Sequence, residues 1–449
     1  MMNLSGKTVA VVGLGESGVA AAELALGQGA EVMAIDAAPE DELSTAARSL
    51  VGKGARLFAG RNDEAAVKRA DVVVVSPGVP PLALLEHASA SGSLVIGELE
   101  FGSRFVEAPI IAIGGTNGKS TTTSLVHEML AAQGKKVFVG ANFGRPLSLA
   151  AGQTFDLLVL EVSSFQLERA PTFHPRVAAL LNVTEDHLDR YPTFLAYAAA
   201  KGNMFKDQTA DDVAVVPKGD ATVAREAARG DGRLITFGPG GDVGLDTGRA
   251  AVLDRLRGFE YPLAGIRLRG THNLLNVSAA IACASEVGAQ KDAIETVLSR
   301  FEGLAHRTAF VSEIDGVKYY DDSKGTNVGA AVSAIKGLDE ARLVLIAGGR
   351  DKRGDYGPLA RELAAKGRAL VLIGEAADRI ADAVKGVVET ARASSMDQAV
   401  ALASSFAKSG DAVLLSPACS SFDMFRDYKD RGDAFVRAVR ALAGREKRS

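Results

Sequence analysis

The chain has 449 residues, of which 47% are hydrophobic, and its formal net charge is only -4. This composition excludes a disordered chain, and the near balance of 51 basic and 55 acidic residues argues against a nucleic-acid partner. Two cysteines are too few for a disulfide scaffold and are typical of a reducing compartment.

The sequence contains no long uncharged apolar run, and its N-terminus enters a strand without the basic and apolar stretches of a signal peptide. We therefore expect a cytoplasmic protein that does not insert into membranes. Short apolar runs alternate with alanine-rich, helix-compatible segments throughout, which predicts an α/β fold with parallel sheets. The expected domains are a Rossmann-like domain over 1–97, a central domain with a parallel sheet over 98–302, and a second Rossmann-like domain over 303–449.

The first region carries a glycine-rich turn between a strand and a helix. Gly13, Gly15 and Gly18 have the spacing of a dinucleotide-binding turn, and Asp36 ends the next strand, where such folds place an acid for a sugar hydroxyl. The turn does not distinguish a dinucleotide from a UDP-sugar, and a structural turn without a ligand is the alternative. The predicted elements are strands Thr8–Val12, Glu31–Ile35, Val72–Ser76 and Val95–Ile96 and helix Gly18–Leu26.

The second region opens with a phosphate loop. Strand Ile110–Ile113 is followed by Gly114–Thr121 and by a helix to about Gln133, so backbone N–H groups, Lys119 and the Ser120 hydroxyl are placed to bind ATP phosphates and Mg²⁺. The loop departs from the strict P-loop spacing by one residue, since Ile113 stands where that pattern has glycine. We therefore predict a central ATP-binding domain.

Acidic and imidazole side chains follow the next strands, which are Leu157–Glu161, Val177–Asn182 and Val213–Val216. Glu161 ends the first of them and His187 follows the second, at the sheet edge where a P-loop protein holds Mg²⁺. Each taken alone is equally compatible with a surface acid or a loop histidine. Lys201 lies on an alanine-rich helix, where composition alone indicates a solvated residue.

The end of the second region is rich in glycine and short apolar runs. We expect an antiparallel meander over Leu234–Gly270 and helices over Asn273–Val287 and Lys291–Phe301. Asn273 and Asn276 lie one turn apart at the start of the first helix, where two amides suit a nucleobase or sugar. A capping role for Thr271 or Asn273 is the alternative.

The third region predicts strands Leu343–Ala347, Ala369–Ile373 and Ala412–Leu415. Cations and hydroxyls suited to a carboxylate-bearing ligand occur at the expected edges of these elements, in 306–307, 321–327, 348–352 and 416–421. Cys419 has no assignable histidine or carboxylate partner and is interpreted as a small buried residue.

The motifs in their order resemble the Mur ligases, the ATP-dependent amide ligases of peptidoglycan precursor synthesis. The resemblance rests on Gly115–Thr121, Glu161–Leu167, Asn182–Asp189, Thr271–Asn276 and Asp322–Asn327, and it covers essentially the whole chain. Within the family, Gly13–Gly18, Asp322–Asn327 and Gly348–Lys352 are most similar to the members that add D-glutamate to UDP-N-acetylmuramoyl-L-alanine.

The resemblance implies site residues and cofactors. The N-terminal turn holds the UDP part of the substrate, and the implied substrate contacts are Gly15, Ser17, Asp36, Ser76, Gly78 and Asn142. The implied ATP site comprises Gly115, Thr116, Asn117, Gly118, Lys119, Ser120, Thr121, Asn273, Asn276, Arg307 and Asp322. Ser120 and Glu161 bind one Mg²⁺, His187 a second, and Lys201 is carbamylated by CO₂ and acts as a metal ligand. D-Glutamate is held by Thr326, Lys352, Ser421 and Tyr428, the last being a position where the family commonly has Phe.

The implied reaction is acyl phosphate formation from ATP followed by attack of the D-glutamate amine, with Lys119, His187 and Lys201 as catalytic residues in a monomer. Three other functions remain open. A nicotinamide-dependent oxidoreductase would use Gly13–Gly18 and Asp36 but leaves Lys119, Ser120 and Glu161 without a role. A P-loop switch protein would hydrolyse nucleotide without an amine. A folylpolyglutamate synthase would share the ligase chemistry but would not need an N-terminal UDP-binding domain.

Overall fold

The computed structural model describes residues 2–188, 190–268, 270–351 and 354–446. The chain divides into two compact units. The larger unit comprises the chain up to Val183 together with Ala198–Gly265 and Leu275–Ser299. The smaller unit comprises Thr184–Tyr197, Ile266–Leu274 and the chain from Arg300. The predicted domain boundaries near 97 and 302 stay predictions.

The first sheet of the larger unit is parallel and Rossmann-like, as predicted. Its strands are β1 (Thr8–Val12), β2 (Glu31–Ile35), β3 (Arg56–Phe58), β4 (Val72–Val75) and β5 (Leu94–Gly97), and its helices are α1 (Glu16–Gly27), α2 (Thr45–Ser49), α3 (Glu64–Lys68), α4 (Ala83–Ala90) and α5 (Glu98–Ser103). The strand order is β3-β2-β1-β4-β5, with every pair parallel. Because the order reverses between β1 and β4, the carboxyl ends of these two strands open a crevice for a ligand.

The second sheet of the larger unit has nine strands. They are β6 (Ile110–Gly114), β7 (Val137–Ala141), β8 (Leu157–Glu161), β9 (Val177–Leu180), β10 (Val213–Pro217), β11 (Arg233–Phe237), β12 (Val243–Asp246), β13 (Ala251–Asp254) and β14 (Phe259–Pro262). The order is β14-β13-β12-β11-β10-β9-β6-β8-β7. Helices in this part of the chain are α6 (Lys119–Ala131), α7 (Ser164–Leu167), α8 (Phe194–Gly202), α9 (Ala221–Ala227), α10 (Thr271–Glu286) and α11 (Lys291–Arg300).

The expected antiparallel meander is confirmed for β12, β13 and β14 and is wrong for β11. β11 runs parallel to β10, and its pairing with β12 is parallel as well. The reason is the connection: β10 leads into helix α9 before β11, and a helical crossover returns the chain in the same direction.

The smaller unit contains a six-stranded sheet. Its strands are β15 (Ala309–Ile314), β16 (Val317–Asp321), β17 (Leu343–Gly348), β18 (Gly367–Ile373), β19 (Glu389–Arg392) and β20 (Ala412–Leu415), and its helices are α12 (Val328–Gly337), α13 (Gly357–Lys366), α14 (Ala377–Ala383), α15 (Met396–Phe406) and α16 (Tyr428–Glu446). The order is β15-β16-β20-β17-β18-β19, with an antiparallel hairpin of β15 and β16 at one edge and parallel pairs elsewhere. Two apolar clusters lie on opposite faces of this sheet.

The central strands are apolar on both faces, which is why the sequence predicts them well. All four valines of β4 are buried, as is every residue of β17. A parallel strand covered by helices on both sides has no solvated face and therefore shows a continuous apolar run. In the part of the chain that the structure describes, no helix combines the length and hydropathy needed to cross a membrane.

Candidate active site

The glycine-rich turn after β1 is a tight loop held by Asp36 and Ser76. The Asp36 carboxylate accepts hydrogen bonds from the Leu14 N–H (2.6 Å) and the Ala38 N–H (2.9 Å), and the Ser76 hydroxyl donates to the Gly13 carbonyl (2.6 Å). Gly13 has φ +86°, and a Cβ at Gly18 would lie 1.8 Å from the Gly13 carbonyl oxygen. Only glycine at both positions allows the strand, turn and helix to approach this closely.

A cavity of about 500 Å³ opens in front of this turn. One wall consists of the turn itself with Asp36 and the segment after β4, and the other wall consists of residues after β7 and in α7 of the second sheet. The lining residues are Gly13, Leu14, Gly15, Glu16, Ser17, Asp36, Ser76, Pro77, Gly78, Val79, Ala141, Asn142, Gly144, Pro146 and Gln166. The structure therefore brings together the six residues expected at the UDP-bearing substrate: Gly15, Ser17, Asp36, Ser76, Gly78 and Asn142.

The phosphate loop after β6 is clamped by Asn182, a residue for which sequence reasoning assigned no role. The Asn182 side chain accepts from the Asn117 N–H (2.9 Å) and donates to the Asn117 carbonyl (3.1 Å), while its own carbonyl accepts from the Thr116 N–H (3.0 Å). Gly115 and Gly118 have φ +148° and +85°. The loop is therefore preformed, with its N–H groups held at the start of α6.

Lys119, Ser120 and Thr121 open helix α6. The Lys119 ammonium donates to the Gly115 and Thr116 carbonyls, each at 3.0 Å, so the side chain folds back onto the loop. The Ser120 hydroxyl donates to Glu161 Oε2 at 2.5 Å, and both residues are buried. This pair places a hydroxyl and a carboxylate oxygen side by side next to the loop, which is the donor set that Mg²⁺ prefers.

Asn142 joins the substrate cavity to the phosphate loop. Its side-chain amide donates to Glu161 Oε1 (2.6 Å), and its backbone N–H donates to the Glu161 carbonyl (2.9 Å). Glu161 thus bonds with one oxygen to Ser120 and with the other to a residue that lines the cavity. Hydrogen bonds therefore lead from Asn142 in the cavity wall through Glu161 to Ser120 beside the phosphate loop.

Lys201 is 2% exposed, so the solvated role that its helix composition indicates is wrong. Its ammonium donates to the Gly115 carbonyl at 2.8 Å, directly at the phosphate loop. Burial of an ammonium is costly, and the hydrogen bond to Gly115 offsets part of that cost at the loop itself.

Asn276 lies against the same loop. A Cβ at Gly118 would come within 2.3 Å of Asn276 Oδ1, which explains why glycine is required there beyond its positive φ. Asn273 lies in the smaller unit at the start of α10, where its N–H donates to the Gly270 carbonyl (3.0 Å).

In the smaller unit, His187 has φ +55° and packs edge-on against Tyr197, with the ring centroids 6.1 Å apart. The neighbouring Asp186 carboxylate accepts from the His187 N–H (3.0 Å) and from the Asn327 amide (3.0 Å). Asp186, His187 and Asn327 line a cavity of about 340 Å³ together with the start of α12 and the segment before α13. Sequence reasoning missed this link between the motif of His187 and that of Asn327.

Asp322 follows β16 and is buried at 8% exposure. Its carboxyl accepts from Ser416 Oγ (2.6 Å) and from the Thr308 N–H (3.1 Å). Burial raises the pKa of Asp322 to about 7, although the hydrogen bond from Ser416 and the charge of Arg307 act in the opposite direction. This carboxyl consequently changes its charge near neutral pH.

Tyr428 begins α16, and the Lys324 ammonium lies 3.8 Å from the centre of its ring. Thr326 lies in the loop after β16, where its N–H donates to the Lys324 carbonyl (2.8 Å). Ser421 is buried in the loop after β20, where its carbonyl accepts from the Phe425 N–H (2.9 Å). Lys352 lies outside the described residues.

Arg431 is a second residue that sequence reasoning missed. Its guanidinium is fully buried and donates to Ser323 Oγ (3.0 Å), to the Ser323 carbonyl (2.9 Å) and to the Cys419 carbonyl (3.1 Å). It ties the loop after β16 to the loop after β20. Cys419 is fully buried, as expected.

The chain belongs to the Mur ligase family. Residues 7–97 match the Mur ligase MurD-like N-terminal domain, 113–284 the Mur ligase middle domain and 306–419 the Mur ligase glutamate ligase domain. Among its relatives is the UDP-N-acetylmuramoylalanine–D-glutamate ligase of Trichlorobacter lovleyi, which is 45% identical and covers 98% of this chain and 100% of its own. The ligase of the same name from Geotalea daltonii is 42% identical and covers 99% of each chain.

Solved structures of similar fold include two ligases of Thermotoga maritima. UDP-N-acetylmuramate-alanine ligase MurC has a TM-score of 0.60 at 18% identity and covers 97% of this chain and 100% of its own. MurF ligase in complex with ADP has a TM-score of 0.61 at 18% identity and covers 99% and 96%. At this identity the likeness concerns the fold.

Proposed function

We propose that this protein is the ATP-dependent ligase that joins D-glutamate to UDP-N-acetylmuramoyl-L-alanine in peptidoglycan precursor synthesis, acting in the cytoplasm as a monomer. The full-length similarity to ligases of that name supports it. The single structural observation that carries it is the hydrogen-bonded connection from Asn142, which lines the cavity in front of the glycine-rich turn, through Glu161 to Ser120. A nicotinamide-dependent enzyme would have no use for a phosphate loop that is hydrogen-bonded through Glu161 to a residue of its dinucleotide cavity.

The substrate cavity suits a nucleotide diphosphate that carries a long substituent. The turn at Gly13–Gly18 presents backbone N–H groups at the start of α1, which favours a pyrophosphate. Asp36, Ser76 and Gly78 lie at the uridine side. The cavity continues to Asn142, so the substituent extends toward Glu161 and the phosphate loop, where its terminal carboxylate is activated.

On the ATP side, Lys119 and the N–H groups of Gly115–Thr121 bind the phosphates. Asn276 lies against the loop for the adenine side, and Asn273, Arg307 and Asp322 are the further residues proposed to bind ATP. Because Asn182 already holds the loop in place, ATP binding loses little conformational entropy in ordering the loop.

The donor chemistry around the loop fits Mg²⁺, which Ser120 and Glu161 would hold. When bound, the ion neutralises negative charge on the phosphates during transfer. His187 is the proposed ligand for a second ion. We further propose that CO₂ converts Lys201 to a carbamate, which turns a buried cation beside the loop into an anionic metal ligand.

The reaction then has two steps. A carboxylate is a poor acylating agent, so the L-alanyl carboxylate first attacks the terminal phosphate of ATP, and an acyl phosphate and ADP form. The amine of D-glutamate attacks the acyl carbon next, and the amide forms as inorganic phosphate leaves. Lys119 stabilises the charge that develops on the transferred group, and Thr326, Lys352, Ser421 and Tyr428 hold the D-glutamate carboxylates.

The test is phosphate release from ATP with UDP-N-acetylmuramoyl-L-alanine present, comparing D-glutamate, L-glutamate and no amino acid, with the product mass measured. We expect release that requires D-glutamate and a product heavier by one glutamyl residue. Release without any amine would favour a P-loop switch protein. A parallel assay with a folate in place of the UDP compound tests the alternative ligase, since glutamate-dependent release there would favour the folylpolyglutamate synthase reaction.

A further inference from the structure

Helix α5 connects the two sheets of the larger unit and buries two glutamates. It begins directly after β5, and both Glu98 and Glu100 are at most 1% exposed. Buried carboxylates are rare because their desolvation costs several kcal/mol when they are unpaired, on the order of the net stability of a domain. Both side chains form hydrogen bonds with residues that connect strands of the second sheet: Glu98 with Ser148, between β7 and β8, and Glu100 with Thr172, between β8 and β9.

Glu98 concentrates its hydrogen bonds on one oxygen. Oε1 accepts from the Ser148 N–H (2.7 Å) and the Ser148 hydroxyl (2.8 Å). Oε2 is buried without a hydrogen-bond partner among the described residues, and burial raises the pKa of this carboxyl. The two hydrogen bonds from Ser148 are therefore what offsets the burial of the Glu98 carboxyl.

Glu100, two residues further along the helix, makes a matching contact. It accepts from the Thr172 N–H (3.0 Å) and the Thr172 hydroxyl (2.5 Å), and Arg104 balances its charge at 2.8 Å. On the same helix, a Cβ at Gly102 would lie 2.8 Å from the Ser148 N atom, so the helix and that segment are packed as closely as a glycine allows.

These contacts hold the far wall of the substrate cavity. Ser148 comes two residues after Pro146, and Thr172 comes six residues after Gln166; Pro146 and Gln166 both line the cavity opposite the glycine-rich turn. The N–H of Gly97, at the end of β5, also donates to the carbonyl of Arg169 (2.7 Å), which lies between Gln166 and Thr172. The wall is thus hydrogen-bonded to the sheet that carries the turn.

We propose that Glu98 and Glu100 are positioning residues for the UDP-bearing substrate: through Ser148 and Thr172 they set the distance between the two walls of its cavity. The inference rests on the proposed function for the identity of that substrate. It concerns residues that touch neither ATP nor the phosphate loop. Weakening the two contacts therefore lowers affinity for the UDP-bearing substrate and leaves ATP affinity unchanged.

The experiment measures the Kd of UDP-N-acetylmuramoyl-L-alanine and of ATP by calorimetry for the full-length wild type and its variants. Ser148→Ala with Thr172→Val removes the two hydroxyl donors, and with the second of them an acceptor for Arg104, and leaves the backbone contacts to both glutamates in place. We expect about tenfold weaker binding of the UDP-bearing substrate, as for the loss of about 1.4 kcal/mol, with an unchanged Kd for ATP. Glu98→Gln keeps the accepting Oε1, and its affinity should stay within about twofold of wild type. Glu107→Gln, an exposed acid after the same helix, is the matched control.

Wild-type affinity for the UDP-bearing substrate in the Ser148→Ala and Thr172→Val double variant would overturn the inference. An equal loss for ATP would also overturn it, since that pattern indicates general destabilisation. Failure of the proposed function has a different signature: the wild type itself would not bind the muramoyl compound. In that case the Kd of UDP is measured instead. Weaker UDP binding by the double variant with unchanged ATP binding would support the inference, and wild-type UDP binding would overturn it.

Discussion

The side-chain amide of Asn142, the residue after β7, donates to the carboxylate of Glu161, the last residue of β8, at 2.6 Å. β7 and β8 pair in parallel, and their carboxyl ends meet at Ala141 and Glu161, so the residue after β7 reaches the last residue of β8. This contact brings the substrate cavity next to the residues around the phosphate loop. The consequences can be tested one residue at a time.

Glu161→Gln should leave the fold intact and raise the Mg²⁺ concentration needed for half-maximal activity by at least about tenfold, since an amide is a weaker ligand for a hard cation than a carboxylate. The measurement is activity against Mg²⁺ concentration at saturating ATP. Glu313→Gln, an exposed acid on β15, is the control. An unchanged Mg²⁺ dependence would show that Glu161 is not a Mg²⁺ ligand.

Asn182→Ala should raise the KM for ATP by about tenfold, because the loop loses both side-chain contacts to Asn117 and must be ordered when ATP binds. Asn203→Ala is a matched control, since Asn203 also makes two side-chain hydrogen bonds in the same unit, to the Leu167 carbonyl and from Arg229. Both variants should lose some stability. If both raise the KM for ATP equally, the loop clamp has no special role.

Lys201→Ala should lower activity by about 100-fold, as expected for a lost metal ligand, and short carboxylates added to the assay should restore part of it. A ¹³C signal of a carbamate after exposure of the wild type to labelled CO₂ would identify the modification directly. Lys206→Ala, a lysine shortly after the same helix with a 29% exposed side chain, is the control. Full activity of Lys201→Ala would refute both the ligand role and the carbamate.

Asp322 should make stability depend on pH. Its pKa is raised to about 7 in the folded protein and returns to its usual range near 4 in the unfolded chain, so the folded state binds the extra proton between these values. The stabilisation is complete below pH 4 and is lost as the pH rises to about 7, with a magnitude on the order of 4 kcal/mol.

The measurement compares urea midpoints at pH 5 and pH 8 for wild type and Asp322→Asn. The asparagine variant cannot ionise, so relative to wild type it should gain stability at pH 8. Asp339→Asn, an exposed acid of the same unit, should show no such change. A pH-independent difference between Asp322→Asn and wild type would mean that Asp322 does not titrate in this range.

The sequence by itself determined the buried parallel strands. Thr8–Val12, Leu157–Glu161 and Ala412–Leu415 begin and end where their apolar runs predict, because strands covered on both faces need apolar residues throughout. It also located the glycine turn and the phosphate loop, since their backbone conformations require glycine at fixed spacing. The edge strands Arg56–Phe58 and Glu389–Arg392 were missed, because a strand with solvated residues owes its conformation to its neighbour.

Only the tertiary structure decided the environment of single polar side chains. The helix of Lys201 looks solvated in sequence, yet the loop after β6 covers the ammonium and supplies the Gly115 carbonyl. Likewise, no local pattern marks Glu98 as buried, because its partner Ser148 lies 50 residues further along the chain. The spacing of apolar residues along one element predicts which face of that element is buried. Whether a charged side chain is buried depends instead on which distant segment of the chain packs over that side chain.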